Sequence, residues 1–120
     1  MKKLLIVGLL GISFFSDARS YFHDGNELNQ WVEADERTRN GRAMDSDFQD
    51  AAMLHGYSIG IFELGEGKIF CSPKTGSLVV GQVSDVVSQY IKTHPEQRNL
   101  PAVILTTKAL TQAFPCNENQ

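Results

Sequence analysis

Residues 79–95 read Val79-Val80-Gly81-Gln82-Val83-Ser84-Asp85-Val86-Val87-Ser88-Gln89-Tyr90-Ile91-Lys92-Thr93-His94-Pro95. The apolar side chains Val79, Val83, Val86, Val87, Tyr90 and Ile91 recur three and four positions apart, which gathers them on one side of a helix. Gln82, Asp85, Gln89 and Lys92 fall opposite, toward water. Pro95 sets the limit, because the residue before a proline is steered out of the helical region.

Three further helices flank this one. Toward the carboxy terminus, Pro101 opens a helix in whose first turn its missing N–H does no harm, and Ala102, Val103, Leu105, Ala109, Leu110 and Phe114 carry it to Pro115. Near the amino terminus, Asn26 is the expected N-cap of a helix from about Glu27 to Arg39, with Leu28, Trp31, Val32 and Ala34 apolar and Gly41 ending it. Asp45 or Ser46 is expected to cap the next. There Phe48, Ala52, His55, Ile59 and Phe62 fall on one face, and Gly65 and Gly67 close the helix. Ala52, Gly56 and Gly60 form a row of small residues on it. Glycine is unfavourable inside a helix, so the row predicts close backbone packing, with a helix of the same chain preferred over a second copy. Lys68 to Val80 allows a short β-hairpin around Ser72-Pro73-Lys74-Thr75-Gly76. The pattern predicts an all-α, compact bundle of about four helices.

The first twenty residues are of another kind. Lys2 and Lys3 precede an uncharged run from Leu4 to Phe15, followed by Ser16, Asp17 and Arg19. This is the layout of an export signal. The run is too short for the roughly 20 apolar residues of a membrane span, so cleavage after Ala18 or Ser20 is expected and no membrane anchor remains. Residues 21–120 then form one domain. Losing Lys2, Lys3, Arg19 and Asp17 at the second cut leaves 8 basic and 13 acidic residues, net −5. Such a surface excludes nucleic acid as an expected partner. The acids concentrate between Asp24 and Asp50, either as a solvated face or as a surface that steers a basic protein.

An exported chain meets oxidising conditions, and Cys71 and Cys116 are its two cysteines. Their pairing within one chain is expected, with a bridge between chains as the alternative. Closing 45 residues of chain removes unfolded-state entropy worth roughly 4 kcal/mol. The bond reads as structural, since no Cys-x-x-Cys occurs.

No motif for catalytic chemistry is present. His23 lies near the terminus. His55 is on an apolar face, either a core-edge histidine or an acid–base group with Asp50 or Glu63. His94 precedes a proline, placed to cap the third helix or bond a carbonyl. No nucleophile elbow, zinc-ligand spacing or phosphate loop is present, so no catalytic residue, metal or cofactor is expected and the chain reads as a binder.

Phe70-Cys71-Ser72-Pro73, Gly81-Gln82, Tyr90-Ile91-Lys92-Thr93-His94-Pro95-Glu96 and Ala109-Leu110-Thr111-Gln112-Ala113-Phe114-Pro115-Cys116, with Gly56-Tyr57-Ser58-Ile59-Gly60 before them, stand in a specific order. Together they resemble the Rap/Tai immunity proteins of type VI secretion, over about residues 50–116. The resemblance implies a periplasmic, mainly helical homodimer that blocks a peptidoglycan amidase delivered by neighbouring or sister cells. It also implies that one subunit offers a helix and a protruding loop enters the toxin cleft. The candidates for these roles here are Gln82, Asp85, Gln89 and Lys92 on the third helix, and two loops, Glu66 to Thr75 with Glu66, Lys68 and Lys74, and His94 to Asn99 with Glu96 and Arg98. Many relatives carry a second cysteine pair where this chain has Val32 and Leu54, which implies that these two residues touch. The competing class is a periplasmic acid-stress chaperone, also small, helical and closed by one disulfide.

Overall fold

The computed structural model describes residues 21–117; the expected export signal, residues 1–20, lies outside them. Four helices follow one another: α1 (Gly25–Arg39), α2 (Asp45–Gly65), α3 (Val80–Thr93) and α4 (Ala102–Ala113), with a 3-10 turn at Pro95–Gln97.

The start of α1 is set by tertiary contacts as much as by local ones. Asp24, two residues before the expected cap, is the N-cap, and its carboxylate accepts the Glu27 N–H at 2.9 Å. The Gly25 N–H donates to the Leu100 carbonyl and the Ala102 N–H to the His23 carbonyl, both at 2.9 Å. A Cβ on Gly25 would sit 2.7 Å from the Arg98 backbone. At the other end Gly41 takes φ +68°, and the Arg42 N–H reaches the Arg37 carbonyl at 2.9 Å. That is the left-handed closure the sequence predicts there.

In α2 three expectations fail. The first turn is held by Asp47, neither Asp45 nor Ser46: its carboxylate accepts the Met44 N–H at 2.9 Å and both Arg37 donors at 2.9 Å. The buried face is Ala51, Leu54, Ser58 and Phe62, turned about 75° from the one expected, with Phe62 common to both. Phe48 is 61% exposed, and Ala52 lies outside. Apolar or small residues occupy most of the perimeter of α2, so spacing alone does not choose between faces. The small-residue row also points outward: a Cβ on Gly56 or Gly60 would meet no heavy atom within 4 Å. Packing inside this chain therefore does not account for glycines that each cost about 1 kcal/mol relative to alanine.

Lys68 to Val80 forms no hairpin. Gly67 (φ +76°) reverses the chain, the Gly65 carbonyl accepts the N–H groups of Lys68, Ile69 and Phe70, and Phe70 buries its ring, 1% exposed, stacked on Phe62. With Phe70 drawn into the core, the following residues run as a loop to α3.

In α3 the expected stripe holds at Val83, Val87, Tyr90 and Ile91, while Val79 is the exposed N-cap residue and Ser84 joins the buried face. In α4, Leu105, Ala109 and Leu110 face inward as expected, Val103 turns out, and Thr106 is buried. Val32 and Leu54, 1% and 0% exposed, belong to one core cluster shared by α1 and α2. Cys71 and Cys116 are bonded within the chain, and the Cys71 N–H donates to the Phe114 carbonyl at 2.9 Å. The end of α4 is thereby tied to the loop before α3.

Candidate functional site

The polar side of α3 is not bare. Arg39 on α1 bridges Asp35 at 2.9 Å and Asp85 at 2.8 Å, and Lys92 pairs with Glu36. The hydrogen bond that Arg39 donates to Asp85 is the main cause holding its guanidinium more firmly protonated than usual. Asp85 and Lys92 thus help fasten α3 to α1. These residues, with Ser88 and Gln89, line a cleft of about 150 Å³ along the seam. Gln89 also borders an apolar groove of about 340 Å³ between α3 and α4, lined by Val86, Tyr90, His94 and Ala109 among others. It therefore stands on a ridge between a charged depression and an apolar one. Gln82 is occupied locally, its side-chain oxygen accepting the Val79 N–H at 2.9 Å.

The two expected loops stand at opposite ends of α3, which spans about 21 Å. At one end Glu66 accepts the Ser72 N–H at 3.2 Å beside the disulfide, and Lys68 and Lys74 are exposed. At the other, Glu96 is exposed on the 3-10 turn. Arg98 turns back to donate to the Ile91 carbonyl at 3.1 and 3.3 Å. It satisfies a terminal carbonyl of α3, so its guanidinium is already engaged. One subunit does not bring both loops to one place.

The sequence reading missed the polar core behind this seam. His55 meets neither Asp50 nor Glu63. Its Nε2 lies 3.0 Å from Asp35 Oδ1 and its Nδ1 2.7 Å from Ser84 Oγ. A Ser–His–Asp chain has the components of a nucleophilic triad. Here, however, Ser84 is 0% exposed and its hydroxyl is 3.1 Å from the Val80 carbonyl, so no substrate reaches it. The chain of bonds is a polar staple through α1, α2 and α3. One signal was available: Ser84 interrupts the apolar face of α3 next to Val83 and Val87.

The other histidines are ordered too. His23, expected near a loose end, bonds Glu27 at 2.8 Å and packs edge-on against Trp31 and Tyr57. His94 donates its Nδ1–H to the Tyr90 carbonyl, 2.8 Å away, and stacks on the Tyr90 ring, as the capping reading required. Among the described residues no group of three or more His, Cys, Asp or Glu side chains is placed to hold a metal.

Compared with known families, residues 24–116, from the N-cap of α1 to the second half-cystine, match the model of the Rap1a immunity proteins. No curated protein matches the chain.

Proposed function

The chain belongs to the Rap1a immunity protein family, and from that membership we propose that it binds and neutralises a peptidoglycan amidase delivered by type VI secretion. The match over the whole folded domain carries this reading. Immunity proteins act by binding, and the enclosure of Ser84, 0% exposed and bonded to His55 and to the Val80 carbonyl, supports that mode of action here. The reading places the protein in the periplasm, as a domain of residues 21–120 released from a signal at 1–20. The intrachain disulfide fits an oxidising compartment. No described helix is long and apolar enough to cross a membrane.

In this proposal the protein is a homodimer, and exposed Ile69, Val79, Val80 and Ile104 leave apolar surface for a second subunit. Contact with the toxin falls on the α3 ridge at Gln82, Asp85, Gln89 and Lys92, with one loop entering the cleft of the enzyme. The candidate loops are the one bearing Glu66, Lys68 and Lys74 and the one bearing Glu96 and Arg98. Because the loops lie at opposite ends of α3, two loops that grip one toxin at the same place would come from different subunits.

Periplasmic co-expression with the amidase encoded beside this gene tests the proposal. Survival of the cells is expected, with rescue weakened by reversing charge at Asp85 or Lys92 and lost on replacing one of the loops. Continued lysis despite abundant folded protein would overturn it. Broad suppression of acid-induced aggregation would favour the chaperone instead.

A further inference from the structure

Phe48 and Leu64 are 61% and 87% exposed near opposite ends of α2, and Met53 is 37% exposed between them. At 100° per residue Phe48 and Leu64 stand about 160° apart around the axis and flank the outward side of α2 from its two edges; large apolar side chains left in water around one patch mark a contact surface. Phe48, Ala52, Gly56, Gly60 and Leu64 follow at steps of four, one of the ridges along which helices interlock, and this ridge crosses the outward side of α2. From Ala52 to Gly60 it carries almost no side chain over about 12 Å, close to the diameter of one helix. Phe48 and Leu64 bracket that notch.

Charge names the occupant. α2 contains Asp45, Asp47, Asp50 and Glu63 and no Lys or Arg. Asp47 is taken by Arg37, whereas Asp45 and Glu63 are exposed and make no ion pair among the described residues. They lie eleven and seven positions from Gly56, near three and two full turns, and so share its side of the helix. A second copy crossing here would set these carboxylates against their own kind. We infer that the outward face of α2 is a docking surface for a basic amphipathic helix of a protein partner. Apolar residues of that helix enter the notch between Phe48 and Leu64, and its cations meet Asp45 and Glu63. The surface is separate from the α3 ridge and does not depend on which toxin is bound there.

A dye-labelled synthetic helix of roughly 18 residues, long enough to hold a helix once bound, with Leu and Ala on one face and Lys on its flanks, provides the probe. Titrated with the purified protein and followed by fluorescence anisotropy, it is expected to saturate, and the same peptide with Glu for Lys to bind at least roughly tenfold more weakly. Gly56→Leu fills the notch while improving helix propensity, so a folded variant that no longer binds the peptide is the expected result. Glu63→Lys should weaken binding without abolishing the fold. Equal binding of both peptides, or unchanged binding by Gly56→Leu, would overturn the inference. So would a dimer that Gly56→Leu converts to monomer in light scattering, since a second copy would then occupy the face.

Discussion

Asp47 meets two demands with one carboxylate: it ends the orphan N–H of Met44 at the start of α2 and binds Arg37 at the end of α1. The bond from Arg37, then that from Met44, lowers its pKa from 3.8 to about 2. A carboxyl whose pKa is lower in the folded state stabilises the fold above its ordinary value, and that contribution disappears as the pH falls through the folded value. Thermal unfolding followed by circular dichroism is therefore expected to show the wild type losing stability between pH 4 and 2. Asp47→Asn, less stable at neutral pH, should show a flatter dependence across that window. Parallel curves would contradict this role. Asp47 was readable only as one acid among many, because Arg37 lies ten positions away across a turn. His55 was harder still: its partners are 20 and 29 positions distant, on two other helices. His94 was legible because its partners are local, the Tyr90 carbonyl and ring one turn before it and the adjacent Thr93 hydroxyl.

Among the elements, α3 was legible and α2 was not, and the difference is physical. The perimeter of α3 divides into an apolar and a polar half, so its orientation follows from spacing. On α2 the apolar residues surround the axis, and the orientation is chosen by contacts with α1, through Leu54 and Asp47. The glycines report these surroundings. Gly25→Ala is expected to destabilise, since the new methyl would overlap the Arg98 backbone, where little can give way. Gly60→Ala is expected to stabilise by up to about 1 kcal/mol, since the methyl meets open space and alanine favours the helix. Urea unfolding midpoints moving in opposite directions for the same chemical change would bear out both placements. A loss of stability at Gly60 would show that α2 is covered on that side.

At the scale of the whole molecule, the disulfide and the order of motifs were legible because they depend on sequence spacing: two cysteines admit one intrachain pairing, and the His-Pro and Pro-Cys ends fall where two helices must stop. The proposed toxin-binding face was only partly legible. Gln82, Asp85, Gln89 and Lys92 share one side of α3, but the sequence did not show that Arg39 and Glu36 already engage two of them, or that Gln89 stands between two depressions. Nor did it show α3 separating the two candidate loops. The central claim is that this fold serves to inhibit one enzyme. It is tested most directly by titrating the purified protein into a peptidoglycan amidase of the class proposed as its toxin and measuring release of peptide ends from peptidoglycan. Activity falling linearly to zero as subunits approach equivalence with toxin is the predicted result, and full activity in molar excess of folded, disulfide-bonded protein would contradict it.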